Sequence, residues 1–433
     1  MRHHCLPVLL ATLVVGLGAA VAACGGPSPP PPTPTVTAGQ AGEYRDAPAP
    51  EKPAEGRAVG RSDFIDSPLT GPLERFGYDL LAREAKTTDD DVVLSPASIH
   101  AALAMTLNGA EGETAAEMRR ALAIDGLDAQ TVNQAWADVI ASADATEGVQ
   151  IRIADSLWMR EWAKLRPEFV KTNGDFYAAS TSPLADDPAQ AAGDINAWVE
   201  ERTGGRIKDL VNEVDPAVFL VLVNAIYVKA GWEQFDEEAT REEPFALADG
   251  AKVDVDMMNG GADLYAETAE YEAVKLDTNG PVAMWVVVPK GSRTPESLLP
   301  QLRERGLTSL GESGETPVIH LALPRFRIEY TADGLVEELK GMGMSRAFSA
   351  DQAEFGRMTE VRPAWIDQIA HKAFLEVNEE GVEAAAGTAV MMPGAGAPTG
   401  DVYVRADRPF LVVLTQTNTG DVPLFMAIVR DPR

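Results

Sequence analysis

The 433-residue chain predicts an α+β domain organised around large mixed or antiparallel sheets. Three observations predict it. Helix-period segments and continuous β-rich runs succeed one another without the strict alternation of a doubly wound parallel sheet. Two β-rich runs at the C-terminus, joined by Asn418-Thr419-Gly420, read as antiparallel neighbours. No repeat period appears, which excludes a solenoid.

In chain order, basic Arg2 and His3-His4, an apolar stretch from Leu6 to Ala20 and small residues up to Cys24 have the form of a secretory signal over residues 1–23. Residues 24–60 are rich in Pro, Ala, Gly and Thr, with Pro29 to Pro32 in one run. Such a segment cannot bury a core and reads as a semi-stiff tether, reaching about 110 Å if fully extended at ~3.1 Å per residue. The domain proper is placed at 61–433. Its first helix is expected near Pro72, ahead of Leu73, Phe76, Leu80 and Leu81 at helical spacing. Further helical patterns cover 97–107, 114–122, 129–142, 191–201 and 334–341. The β-rich runs are Phe219 to Val228, Val282 to Val288, Pro317 to Leu323, Phe410 to Thr417 and Leu424 to Val429. No second linker interrupts the stretch to Arg430, so a single domain is predicted.

Composition narrows the function. The net charge of −29 repels phosphate backbones and anionic headgroups, which sets nucleic acid aside as a partner. The two cysteines are Cys5 and Cys24, so removal of the signal leaves no pair to oxidise and packing alone must hold the domain. Catalytic groupings are not evident. His100, His320 and His371 lie at no metal-ligand spacing, and Gly311-Glu312-Ser313-Gly314 lacks the second glycine of a nucleophile elbow and reads as a surface turn. No phosphate-binding glycine loop is present, no cofactor or metal is expected, and the chain is read as not an enzyme.

Several segments, taken in order, resemble the serpin family from about residue 72 to the C-terminus. They are Leu94-Ser95-Pro96-Ala97-Ser98-Ile99 with Asn108-Gly109-Ala110; Ile195-Asn196-Ala197-Trp198-Val199; Thr203-Gly204-Gly205-Arg206-Ile207; Asn224-Ala225-Ile226-Tyr227-Val228-Lys229 with Trp232 and Phe235; Pro324-Arg325-Phe326; His371-Lys372-Ala373-Phe374; Asp407-Arg408-Pro409-Phe410; and Pro423-Leu424-Phe425-Met426. The resemblance implies three sheets, eight to nine helices and an exposed reactive-centre loop near the C-terminus. That loop is cut as bait and then inserts as a new strand in the largest sheet, a mode of strand addition that this family exemplifies. Val21-Ala22-Ala23-Cys24 likewise resembles a bacterial lipobox, with Leu more usual where Val21 stands. It implies lipidation of Cys24, and an ordinary signal-peptidase site is the alternative.

The loop spans Glu379 to Gly400, with a hinge at Glu379, Glu380, Gly381, Val382, Glu383, Ala384, Ala385, Ala386, Gly387 and Thr388. A strand entering between others needs uncharged inward side chains, because a buried unpaired charge costs several kcal/mol. Alternation gives one face Val382, Ala384, Ala386, Thr388, Val390 and Met392. The other takes Glu383, Ala385, Gly387, Ala389 and Met391, so that the lone charge falls where solvent can remain. The family more often has Thr or Ser where Val382 stands and Ala where Gly387 stands. Family loop length places the cleaved bond at Ala395-Gly396, with Ala397, Met392 and Met391 as alternatives. A small residue there suits the shallow primary pocket of elastase-like or subtilisin-like serine proteases.

By the same resemblance Ser95, Ser98, Asn224 and His371 match the polar shutter beneath the sheet, and Trp232 matches the breach where the loop first enters. Between Ala121 and Ile151 there are five acids and no Lys or Arg, which argues against glycosaminoglycan control. The expectation is therefore an exported monomer that inhibits a serine protease. It would stand on the outer face of the cell membrane through a lipid at Cys24, its one membrane contact, or be secreted. A non-inhibitory surface-binding or scaffold serpin is the alternative.

Overall fold

The computed structural model describes residues 66–143, 149–307, 317–382 and 400–433, with the backbone alone for 152–154. Local sequence sets the helix starts. The helix α1 (Thr70–Glu84) carries Pro72 inside its first turn. After the short strand β1 (Val92–Leu94), Ser95 caps α2 (Pro96–Leu107): its hydroxyl accepts the Ser98 N–H at 3.1 Å, and Pro96 takes the first helical position, where no N–H is needed. The helices α3 (Gly112–Ala121) and α4 (Ala129–Ala143) come next, then the long strand β2 (Gln150–Arg160). Proline again opens α5 (Pro167–Tyr177) and, beyond β3 (Ser180–Leu184), α6 (Pro188–Arg202), whose first turn Asp187 caps.

The second half is mostly strand: β4 (Leu220–Gly231), β5 (Arg241–Ala246), β6 (Lys252–Gly261), β7 (Leu264–Glu267), β8 (Tyr271–Asp277) and β9 (Val282–Pro289). Past α7 (Pro295–Arg305) come β10 (Val318–Pro324), β11 (Phe326–Thr331), α8 (Leu335–Gly341), β12 (Gln368–Asn378), the two-residue β13 (Gly381–Val382), β14 (Asp401–Arg405), β15 (Phe410–Gln416) and β16 (Val422–Val429). The described residues thus hold eight α-helices and three sheets. The fold is mixed α+β, as the resemblance implies.

Each expected helix and strand run forms, with ends shifted by one to three residues. The β4 strand continues past Val228 to Gly231, and α6 begins at Pro188 rather than 191.

One six-stranded sheet runs β1-β16-β15-β9-β8-β7, and a four-stranded sheet runs β14-β10-β6-β5. In the first, β9, β15 and β16 are buried along their whole length, which is why they read as unbroken apolar runs. The third sheet runs β11-β12-β13-β4-β2-β3, with a further direct pairing of β12 to β4. One of its faces belongs to the main core through Leu222, Ile226, Val228, Ala230, Ile369, Ala373, Leu375 and Val377. On the other face Val221, Val223, Ala225 and Ala370 are buried in a cluster with Ala191, Ala192, Ile195 and Val199 of α6.

Candidate functional site

The relation between β4 and β12 changes along their length. At one end the two strands pair directly and in parallel, Gln368 with Val221, Ile369 with Leu222, Ala370 with Val223 and His371 with Asn224. At the other end they part, and β13 lies between them. There Val382 opposes Val377 on one side and Ala230 on the other, while Gly381 opposes Asn378 and Gly231. Two residues of a third, antiparallel strand are therefore already seated in the mouth of the split.

Gly381 is required where it stands. Its φ of +141° is a conformation that side-chain-bearing residues rarely adopt, and a Cβ there would collide with the Ala230 carbonyl. Of the expected hinge, Glu379, Glu380, Gly381 and Val382 are described. Glu383, Ala384, Ala385, Ala386, Gly387 and Thr388 lie outside the described residues, as do Ala395, Gly396, Cys24 and the Gly311–Gly314 turn.

Two sets of polar contacts bracket the split. At its mouth, Glu379 is 8% exposed, and its carboxylate accepts from Arg325 Nε at 2.6 and 2.9 Å and from the Thr240 hydroxyl. Burial pushes the Glu379 carboxyl up, but the Arg325 and Thr240 hydrogen bonds outweigh it and hold it below the usual range. Trp232, expected at this level, is buried. Its indole N–H reaches the Asn378 and Glu379 carbonyls, each at 3.1 Å, while its backbone N–H donates to the Glu380 carbonyl at 3.3 Å. The ring thus bonds the turn that feeds β13 as well as packing on Phe235, 5.7 Å away. Beside the mouth opens a cleft of about 1210 Å³, lined by Trp232, Phe235, His320, Glu379, Tyr403 and Arg405 among others.

At the closed end, His371 Nε2 accepts the Ser95 N–H at 3.3 Å, so the ring proton sits on Nδ1 and is donated to Asn224 Oδ1 at 2.6 Å. Desolvation holds the His371 pKa down at about 3 and keeps the imidazole neutral. Ser98 joins this group through its backbone N–H to Ser95, while its hydroxyl has no partner among the described residues. The fold therefore gathers the four expected polar residues beneath the junction, but only three of the side chains are bonded.

Sequence reasoning missed Asp155, which stands opposite Asn224 on β2. It is 4% exposed, and neither carboxylate oxygen has a partner among the described residues. Desolvation pushes its carboxyl well above the ordinary range, so it stays protonated. An acid inside the otherwise apolar stretch around Leu157 and Trp158 was the available clue.

This geometry, a large sheet split to receive an antiparallel strand that comes after β12 in the chain, agrees with the family model described as serpin (serine protease inhibitor), which matches residues 72–432. The chain belongs to the serpin family. It is 32% identical to a serpin-like protein of Thermococcus kodakarensis, with 85% of this chain and 87% of that protein covered. To the leukocyte elastase inhibitor of Bos taurus it is 31% identical, with 84% and 99% covered. Among solved structures, the thermophilic serpin tengpin in its native state superposes with a TM-score of 0.76 at 27% identity, covering 85% of this chain and 95% of that one. Serpins are mostly protease inhibitors rather than catalytic enzymes.

Proposed function

We propose that this serpin is a suicide-substrate inhibitor of an elastase-like or subtilisin-like serine protease, cleaved at Ala395-Gly396. The observation that carries the reading is β13: Gly381 and Val382 occupy the split between β4 and β12 in a register that the rest of the hinge can continue. Extended one residue for one, the register would set Ala384 beside Val228 and Leu375, Ala386 beside Ile226 and Ala373, Thr388 between Asn224 and His371, and Val390 beside Leu222 and Ile369. All of those neighbours face the core or the shutter. None of the incoming side chains is charged.

The outward face refines the sequence-based expectation. Glu383 would fall between Lys229 and Glu376 near the mouth, where solvent remains. Farther down, Ala389 would fall between Val223 and Ala370 in the cluster covered by α6. Solvent is thus excluded from the lower half of that face, because α6 packs on it. On this register Gly387 and Ala389 bring no bulk to the covered stretch, and Met391 would lie at its far end between Val221 and Gln368.

In this reading the protease acylates itself on Ala395, and insertion carries it along the sheet before water can hydrolyse the ester. The driving force is the strand pairing gained, held in reserve by the metastable closed sheet. The name of the bovine relative, an inhibitor of leukocyte elastase, supports the choice of target. Incubation with pancreatic elastase or subtilisin should give a covalent complex that survives denaturing electrophoresis. Cleavage without complex, and without a rise in heat stability, would sink the reading. We further propose export and anchoring through a lipid on Cys24, with the tether holding a monomeric inhibitor off the membrane. Labelled palmitate should be incorporated by the wild type and not by Cys24→Ala.

A further inference from the structure

An exposed face of β10 and β14 adjoins the chain segment that contains the reactive bond. The strand β14 begins at Asp401, directly after the stretch that contains the reactive bond, and pairs in parallel with β10, Val318 with Asp401 and His320 with Tyr403. Strand alternation therefore puts Val318, His320, Asp401, Tyr403 and Arg405 on one face. Tyr403 is 66% exposed and Val318 41%; among the described residues only Trp162 and Val170 are comparably exposed large apolar side chains, and they lie elsewhere. Tyr403 is held flat on His320, ring centroids 4.5 Å apart and 13° from parallel, with Asp401 Oδ2 3.7 Å from His320 Nε2. An exposed aromatic fixed by its neighbours loses little side-chain entropy when it is covered, and tyrosine is enriched at protein–protein interfaces for that reason among others.

We propose that the Val318–His320–Tyr403 face is an exosite for the serine protease that attacks the loop. This inference rests on the inhibitory reading. The position argues for that occupant. Asp401 is six residues from Ala395, about 20 Å at full extension, whereas a partner burying about 800 Å² on each side covers a disc about 32 Å across. A protease centred on Ala395 covers about 16 Å around the bond, which brings its edge to within about 4 Å of Asp401 even when the connecting residues are fully extended. The face sets how fast the complex forms, and the loop decides whether the protease is then trapped or released.

The test measures second-order rate constants for inhibition of pancreatic elastase and subtilisin by the full-length protein, Tyr403→Ala, Val318→Ser and the conservative Tyr403→Phe. The expected result for Tyr403→Ala is a roughly ten-fold slower association with at least one protease. Tyr403→Phe should restore most of the rate, and stoichiometry of inhibition and melting temperature should stay unchanged. Wild-type complex formation with rates unaltered in both Tyr403→Ala and Val318→Ser would overturn the exosite while leaving the inhibitory reading intact. Failure of the wild type to form any complex would sink both. Sedimentation that shows a wild-type dimer broken by Tyr403→Ala would give the face to a second copy of the chain and overturn the proposal.

Discussion

His371 donates to Asn224 across the line where β12 and β4 meet, Nδ1 to Oδ1 at 2.6 Å, with the imidazole buried and neutral. The ring's pKa falls from an ordinary 6.5 to about 3. The native state thus binds fewer protons than the unfolded chain between those values. The stability that depends on a neutral ring is fully present above about pH 6.5 and is lost as pH falls toward about 3. His100, buried and held at about 4, acts in the same sense.

The variant His371→Gln removes one such group. Between pH 6.5 and 4, wild-type stability should fall more steeply than the variant's by about 1.4 kcal/mol per pH unit. The first thermal transition, tracked from pH 7.5 to 4, checks this, and parallel curves for the two proteins would refute it.

A charge on the inward face of the inserting segment should separate cleavage from inhibition. Ala384→Arg would bring a guanidinium between Val228 and Leu375, both buried in the main core and offering no acceptor side chain. The variant should be cut at the same bond as the wild type, yet yield cleaved protein in place of covalent complex. Retained inhibition would show that insertion past Ala384 is not the mechanism.

Much of the fold was legible where burial is one-sided or complete. The strands β4, β9, β15 and β16 announced themselves as apolar runs, and α2 as a helical pattern over 97–107. Strands half open to solvent left weaker traces. In β5, Arg241, Glu242 and Pro244 surround the single buried Phe245, and β14 has Val404 as its one buried residue. The helix α7 was hidden by Pro300 inside it. The four polar residues that meet beneath the β4–β12 junction could be named from motifs, but Ser98's unbonded hydroxyl could not. Nor could the bond from Arg325 to Glu379, 54 residues apart, because nothing in either segment encodes the approach of the other.

That ion pair carries a prediction about the mouth of the split. Arg325→Met leaves the Glu379 carboxylate, 8% exposed, with the Thr240 hydroxyl as its remaining side-chain donor. Arg325 itself is about one-third exposed, so the loss is moderated by solvent, and a destabilisation of about 1–2 kcal/mol is expected at pH 7. Because the native Glu379 pKa lies below its ordinary 4.5, the pair's contribution is present above about pH 4.5 and disappears as pH falls through the native value. Wild-type and Arg325→Met melting temperatures should therefore differ at pH 7 and converge as the pH falls below 4.5 through the native Glu379 value. An equal gap throughout would assign Arg325 a packing role only.

Asp155 supplies the opposite sign. Its carboxyl is kept neutral by desolvation, facing Asn224 on β4, with neutral His371 beyond it on β12 and the Tyr177 phenol of α5 as the other titratable group affected. Since its native pKa is raised well above 3.8, the native state holds a proton that the unfolded chain has released. Stability therefore declines as pH rises from about 4 up to the native pKa. Asp155→Asn keeps the shape and removes the titration. The variant should melt about 1–4 °C above the wild type at pH 8, corresponding to about 1–3 kcal/mol, and the two should approach each other near pH 4. A wild type that equals the variant at pH 8 would mean that Asp155 meets a donor in solution and is not a source of strain beside the β4–β12 junction.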